Sequence, residues 1–146
     1  MRSAAAWLLL CAGLLAPVSA GSLSRTDLCF FKTDSAALSD RCHGIMNEYA
    51  NALRSIAQGG AIDLPTGKAS PSCSTRTEIW AHADVEEASR DAAALSRVRG
   101  EAVLAALKER GLDPALITLK VFAATRPLVP VGGGEPQNRR VELVMR

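Results

Sequence analysis

The stretch "DAAALSRVRGEAVLAALKERG", Asp91 to Gly111, constrains the fold of this chain more than any other. At about 100° per residue, Ala92, Leu95, Ala102, Val103 and Ala106 share one arc of a helix, while Arg90, Arg97, Glu101 and Lys108 lie on the other. A stripe of such small residues lets a helix lie close on a sheet. Arg99 falls in the middle of that stripe. Charged side chains are almost never fully buried unless paired, so the helix must deliver this guanidinium to something. Its head can snorkel from the edge of the stripe, or the helix can be rotated from this count. It can also pair internally with a carboxylate such as Asp84 or Asp34, or grip a ligand.

Around this helix the chain alternates short apolar runs with one further periodic segment. Leu28–Lys32, "LCFFK", is read as a strand and "TDS" as a turn. Leu38, Cys42, Ile45, Tyr49, Leu53 and Ile56 then recur at spacings of three and four, which predicts an amphipathic helix capped by Asp34 or Ser35 and ended by Gly59-Gly60. Residues 61–76, "AIDLPTGKASPSCSTR", form a long loop by composition. Thr77–Asp84 is a second strand, and Gly111 ends the Arg99 helix. "ALITLKVFAA" is a third strand, an irregular Pro- and Gly-rich segment follows, and "RRVELVM" is a fourth. The expected fold is α+β: a β-α-β-α-β-β chain forming a mixed four-stranded sheet with two main helices on one face. At 146 residues and 48% hydrophobic content the chain has room for one such domain.

The first 20 residues, with an early arginine, an apolar run from Ala4 to Val18 and small residues up to Ala20, read as a secretory signal peptide. The run is too short for a spanning helix and Pro17 interrupts it, and the three leucines before Cys11 do not fit a lipoprotein signal. A short segment, 21–27, leads into the domain at 28–146. Secretion would expose Cys29, Cys42 and Cys73 to an oxidising compartment. Cys29 reads as a buried small hydrophobe, which leaves Cys42 with Cys73 as the expected disulfide, with all three thiols reduced as the other outcome.

Enzyme chemistry finds little support. The serines show no nucleophile-elbow spacing, and "LPTGKA" lacks both the early glycine and the Ser/Thr of a phosphate loop. Cys42, His43, Cys73 and His82 are the right types for a metal but lack paired ligand spacing, so no metal and no cofactor is expected. A formal charge of +2 with interspersed signs argues against nucleic acid as a partner. Asp84, by contrast, ends the second strand on the rim where the Arg99 helix begins. An aspartate and an arginine there, with backbone N–H groups nearby, suit a ligand bearing both an ammonium and a carboxylate.

"EIWAHAD", then "ALSRVRGEAVLAAL", then "EPQNRRVEL" resemble, in order, the G-H-T/A-D, L-S-x-x-R-A-x-x-V and N-R-R-V-E motifs of the OmpA-like peptidoglycan-binding domain family; "CFFKTDSAALS" is similar to its opening strand, turn and helix. The resemblance covers Leu28 to Arg146. It implies a periplasmic module of the bacterial envelope, able to associate with the outer membrane, that holds peptidoglycan non-covalently by the diaminopimelate side chain of the stem peptide. It assigns the ligand's ammonium to Asp84 and its carboxylate to Arg99, 15 residues apart as in the family. Asn138 and Arg139 match the motif that supports the site, and Asp34 matches the polar turn after the first strand. Four departures stand out. Ala81 replaces the glycine before the histidine, Glu87 the glycine three residues after the aspartate, Asp91-Ala92 a Tyr-Asn pair, and Gly100 the alanine after the key arginine. The added acids motivate an alternative, an OmpA-like fold that has lost wall binding and contacts another envelope protein.

Overall fold

The computed structural model describes residues 25–57, 76–88, 91–130 and 133–146. The signal peptide, most of the long loop and Cys73 lie outside these residues. Among the described residues no helix is long and apolar enough to cross a membrane.

The elements run β1 (Thr26–Phe30), α1 (Asp40–Ala57), β2 (Thr77–His82), a one-turn α2 (Val85–Ala88), α3 (Ala92–Glu109), β3 (Ile117–Ala123) and β4 (Arg140–Met145). The strands form one sheet in the order β1-β4-β2-β3. β2 and β3 are parallel, as a helical crossover through α3 requires, while β4 runs antiparallel to both β1 and β2. The mixed four-stranded sheet is as the sequence predicts, and it places the last strand of the chain in the interior.

Several boundaries differ from expectation, each for a local reason. β1 starts at Thr26, inside the expected leader segment, because its pairing with β4 runs from Thr26 opposite Val144 to Phe30 opposite Arg140. It ends before Lys32, whose carbonyl turns away to Arg99 at 3.1 Å. α1 starts at Asp40, not at the expected caps. Asp34 sits at φ 51 in a turn, and the Ser39 hydroxyl accepts the Cys42 N–H at 3.3 Å. Ile56, the expected last member of the α1 stripe, is 41% exposed. α3 ends as predicted at Gly111, whose φ of 83 suits a residue without a Cβ and whose N–H reaches the Lys108 carbonyl at 2.9 Å.

Both long helices pack on one face of the sheet. Cys29, Ile79, Ala81, Val141, Leu143 and Met145 meet Cys42, Met46 and Tyr49 of α1 and Val103, Ala106 and Leu107 of α3. The Tyr49 hydroxyl donates to Thr77 at 3.1 Å, so its polar end is satisfied inside the core.

The contact that brings Arg99 over the sheet lies one residue further along α3. A Cβ added to Gly100 would stand 2.3 Å from the Leu119 side chain and 3.2 Å from the Cβ of Ala81. The two departures Ala81 and Gly100 therefore face each other. Set against the motifs this sequence resembles, glycine and alanine stand in exchanged positions across one helix–strand contact, and the glycine permits the close approach.

Candidate functional site

Asp84 lies two residues past the end of β2 and immediately before α2. Its carboxylate Oδ1 accepts the Glu87 N–H at 2.8 Å, and Glu87 Oε2 accepts the Asp84 N–H at 3.2 Å. This reciprocal capping box satisfies two donors at the start of a helix and bends Glu87 back over the end of β2. Glu87 is 2% exposed.

Arg99 is fully buried, at 0% exposure, and its partner is Glu87 rather than Asp84 or Asp34. Nη1 donates to Glu87 Oε2 at 2.8 Å and Nη2 to Oε1 at 2.6 Å, the bidentate fork that arginine makes with a carboxylate. The remaining donors go to backbone carbonyls: Nε to Ser35 at 2.8 Å, Nη1 to His82 at 3.3 Å and Nη2 to Lys32 at 3.1 Å. All five guanidinium N–H groups are thus used. The ring of Phe31 lies beneath, 5.2 Å from the guanidinium carbon.

The Glu87 carboxylate is as fully engaged. Oε1 accepts the Asp34 N–H at 2.9 Å as well as Arg99, and Oε2 accepts the Asp84 N–H as well as Arg99. Two backbone N–H groups and a guanidinium converging on one carboxylate make a preformed carboxylate receptor. In this structure it holds the chain's own glutamate.

Asp84 itself pairs with Arg139, whose Nη1 donates to Oδ2 at 2.7 Å. Burial pushes the Asp84 carboxyl up, but the Glu87 N–H and the Arg139 guanidinium together outweigh it and hold the group below its ordinary value. Asp84, Arg99, Arg139 and Asp34 therefore meet in one network with Glu87 at its centre. Asn138 does not join it. Its Oδ1 accepts the N–H groups of Leu128 and Val129 and its Nδ2 donates to the Val129 carbonyl, so it fixes the segment before β4.

An open cleft of about 330 Å³ adjoins the network, lined by Asp34, Glu87, Asp91 and Leu95. Asp91 caps α3, accepting the Ala94 N–H at 3.0 Å. The cleft wall is acidic, and Arg99 lies behind Glu87 rather than in the wall. Read along the sequence, Glu87 is only an added charge. The signal that finds its role is "DVEE" after a strand, the spacing of a capping box, which turns the Glu87 carboxylate inward.

Among the described residues no three His, Cys, Asp or Glu side chains gather as a metal site. Cys42 lies in the core, whereas the His82 ring stacks on Phe122 at 5.3 Å. His82 Nε2 stands 3.2 Å from Glu142 without completing a hydrogen bond. Burial, then the charges of Arg140 and Arg126, push its pKa down to about 4.

Neither a family model nor a curated protein matches this sequence. Solved structures do match. The OmpA-like domain of FopA1 from Francisella tularensis is 20% identical, covering 83% of this chain and 71% of that one, at a TM-score of 0.65. The peptidoglycan-associated lipoprotein from Burkholderia pseudomallei is 24% identical over 82% and 89%, with a TM-score of 0.63. The cell wall anchor of the type VI secretion system from Pseudomonas aeruginosa is 19% identical over 83% and 80%, with a TM-score of 0.59. The fold is that of OmpA-like domains.

Proposed function

We propose that this chain is a binding module of the bacterial envelope, not an enzyme, and that it attaches to peptidoglycan through the rim that carries Asp84 and Arg99. The observation that carries this reading is the receptor around Glu87: a guanidinium fork with the Asp34 and Asp84 N–H groups, built for a carboxylate. A diaminopimelate side chain brings a carboxylate and an ammonium together. Its carboxylate takes the place of Glu87 on Arg99 as the single turn α2 moves aside, and its ammonium meets Asp84 at the acidic cleft. Arg139 keeps Asp84 ionised and in place. The solved peptidoglycan-associated lipoprotein and the cell wall anchor support the same assignment by fold. Delivery to the periplasm rests on the N-terminal signal read in the sequence.

Because Glu87 competes from within the chain, the wild type binds with its intrinsic affinity reduced by the fraction of molecules in which α2 is displaced. The same saturation of Arg99 favours a second reading, in which Glu87 closes the site for good and the domain serves as a contact for another envelope protein.

Titrating a soluble diaminopimelate-containing stem peptide into isotope-labelled mature protein separates the two. The first reading predicts saturable shifts at the backbone amides of Asp34, Asp84 and Glu87, and no shifts with a lysine-containing stem peptide. Amides that stay fixed at millimolar peptide support the second.

A further inference from the structure

Cys29, next to the last residue of β1, points into the helix-covered face, where Cys42 from the first turn of α1 joins the same core. They are 0% and 1% exposed and belong to the same core. Both are free thiols in this structure, and the Cys42 Sγ lies 3.9 Å from the carbonyl of Phe30, the residue next to Cys29.

We infer that Cys29 and Cys42 form an intramolecular disulfide when the chain folds under oxidising conditions, a bond that ties β1 to α1. This pairing replaces the expected Cys42–Cys73 bond, and it does not depend on what the rim binds. The Cys42 thiolate attacks one sulfur of a small-molecule disulfide such as oxidised glutathione, giving a mixed disulfide and expelling one thiolate. Cys29 gives up its proton and attacks the Cys42 sulfur, expelling the second. Two protein thiols lose two electrons, and the oxidant leaves as two thiols carrying the two protons. Both sulfurs are buried in the native core, so the exchange takes place before that core closes.

The bond has a consequence for the rim. The loop it closes, between Cys29 and Cys42, supplies the Lys32 and Ser35 carbonyls to Arg99 and the Asp34 N–H to Glu87. Oxidation therefore restrains the backbone that builds the carboxylate receptor.

The mature protein, refolded with oxidised glutathione, alkylated and digested with trypsin, tests this. The expected product joins the peptides Thr26–Lys32 and Cys42–Arg54, two hydrogens lighter than their sum and separable by reductant. It persists in Cys73→Ala. The oxidised protein should also melt on the order of 10 °C above the reduced one, a difference that Cys42→Ala abolishes. Recovery of both peptides singly alkylated, or of Cys42 joined to the Cys73 peptide, overturns the inference.

Discussion

Arg99 was visible in the sequence as a charge inside an apolar stripe, and the structure places it there at 0% exposure. Its partner was less legible, because Glu87 is local to Asp84 but distant from Arg99, and only the turn of α2 brings the two together. Removing one member of a buried pair leaves an uncompensated charge, which typically costs about 3–5 kcal/mol. Arg99→Ala should therefore lower the denaturation free energy by that amount, measured in urea. Loss of wall binding in this variant alone would confuse unfolding with a missing contact. Glu87→Gly is the more informative change. It opens the receptor to the adjoining cleft, where water can reach Arg99, and three backbone carbonyls still hold the guanidinium. The expected cost is roughly 2 kcal/mol. A cost as large as that of Arg99→Ala would show that the pair acts as a structural unit and not as a displaceable lid.

At the level of elements, the periodicities identified the long helices and the strands of the described residues, while their ends were set by contacts that no local pattern encodes. α1 begins late because the chain from Lys32 to Ser35 is engaged with Arg99, 64 residues or more away. The exchange of Ala81 and Gly100 is legible as two separate substitutions, but their compensation appears only when α3 is laid on the sheet. Gly100→Ala in the native background forces the Leu119 side chain aside and crowds Ala81, with an expected loss of about 1–3 kcal/mol. Ala81→Gly in the same chain should recover part of that loss, giving a coupling of about 1 kcal/mol in a double-mutant cycle followed by thermal denaturation. Additive effects would show that the two positions do not share the contact.

For the whole molecule, the mixed sheet and its one helical face followed from the order of elements, whereas the interior position of β4 needed the structure, since strand order leaves no mark on local periodicity. Buried groups couple global stability to pH, His82 foremost. His82 titrates near 4 in the fold against about 6.5 when unfolded, so between these values the unfolded chain binds a proton that the native one does not. Stability is therefore complete above about pH 6.5 and falls by roughly 3 kcal/mol as pH drops to about 4. Asp84, held below its ordinary value, adds a further loss in more acid solution. His82→Gln should flatten the loss between pH 6.5 and 4 in urea titrations; an unchanged slope would assign it to other groups. Attachment to the wall is read out by co-sedimentation with diaminopimelate-type sacculi. Wall attachment through this rim predicts that the mature wild-type protein pellets with sacculi, that Asp84→Asn pellets less, and that Glu87→Gly, freed of its internal competitor, binds roughly ten- to a hundred-fold more tightly. Wild-type protein that stays in the supernatant with sacculi in excess, or Glu87→Gly that binds no better, would contradict it.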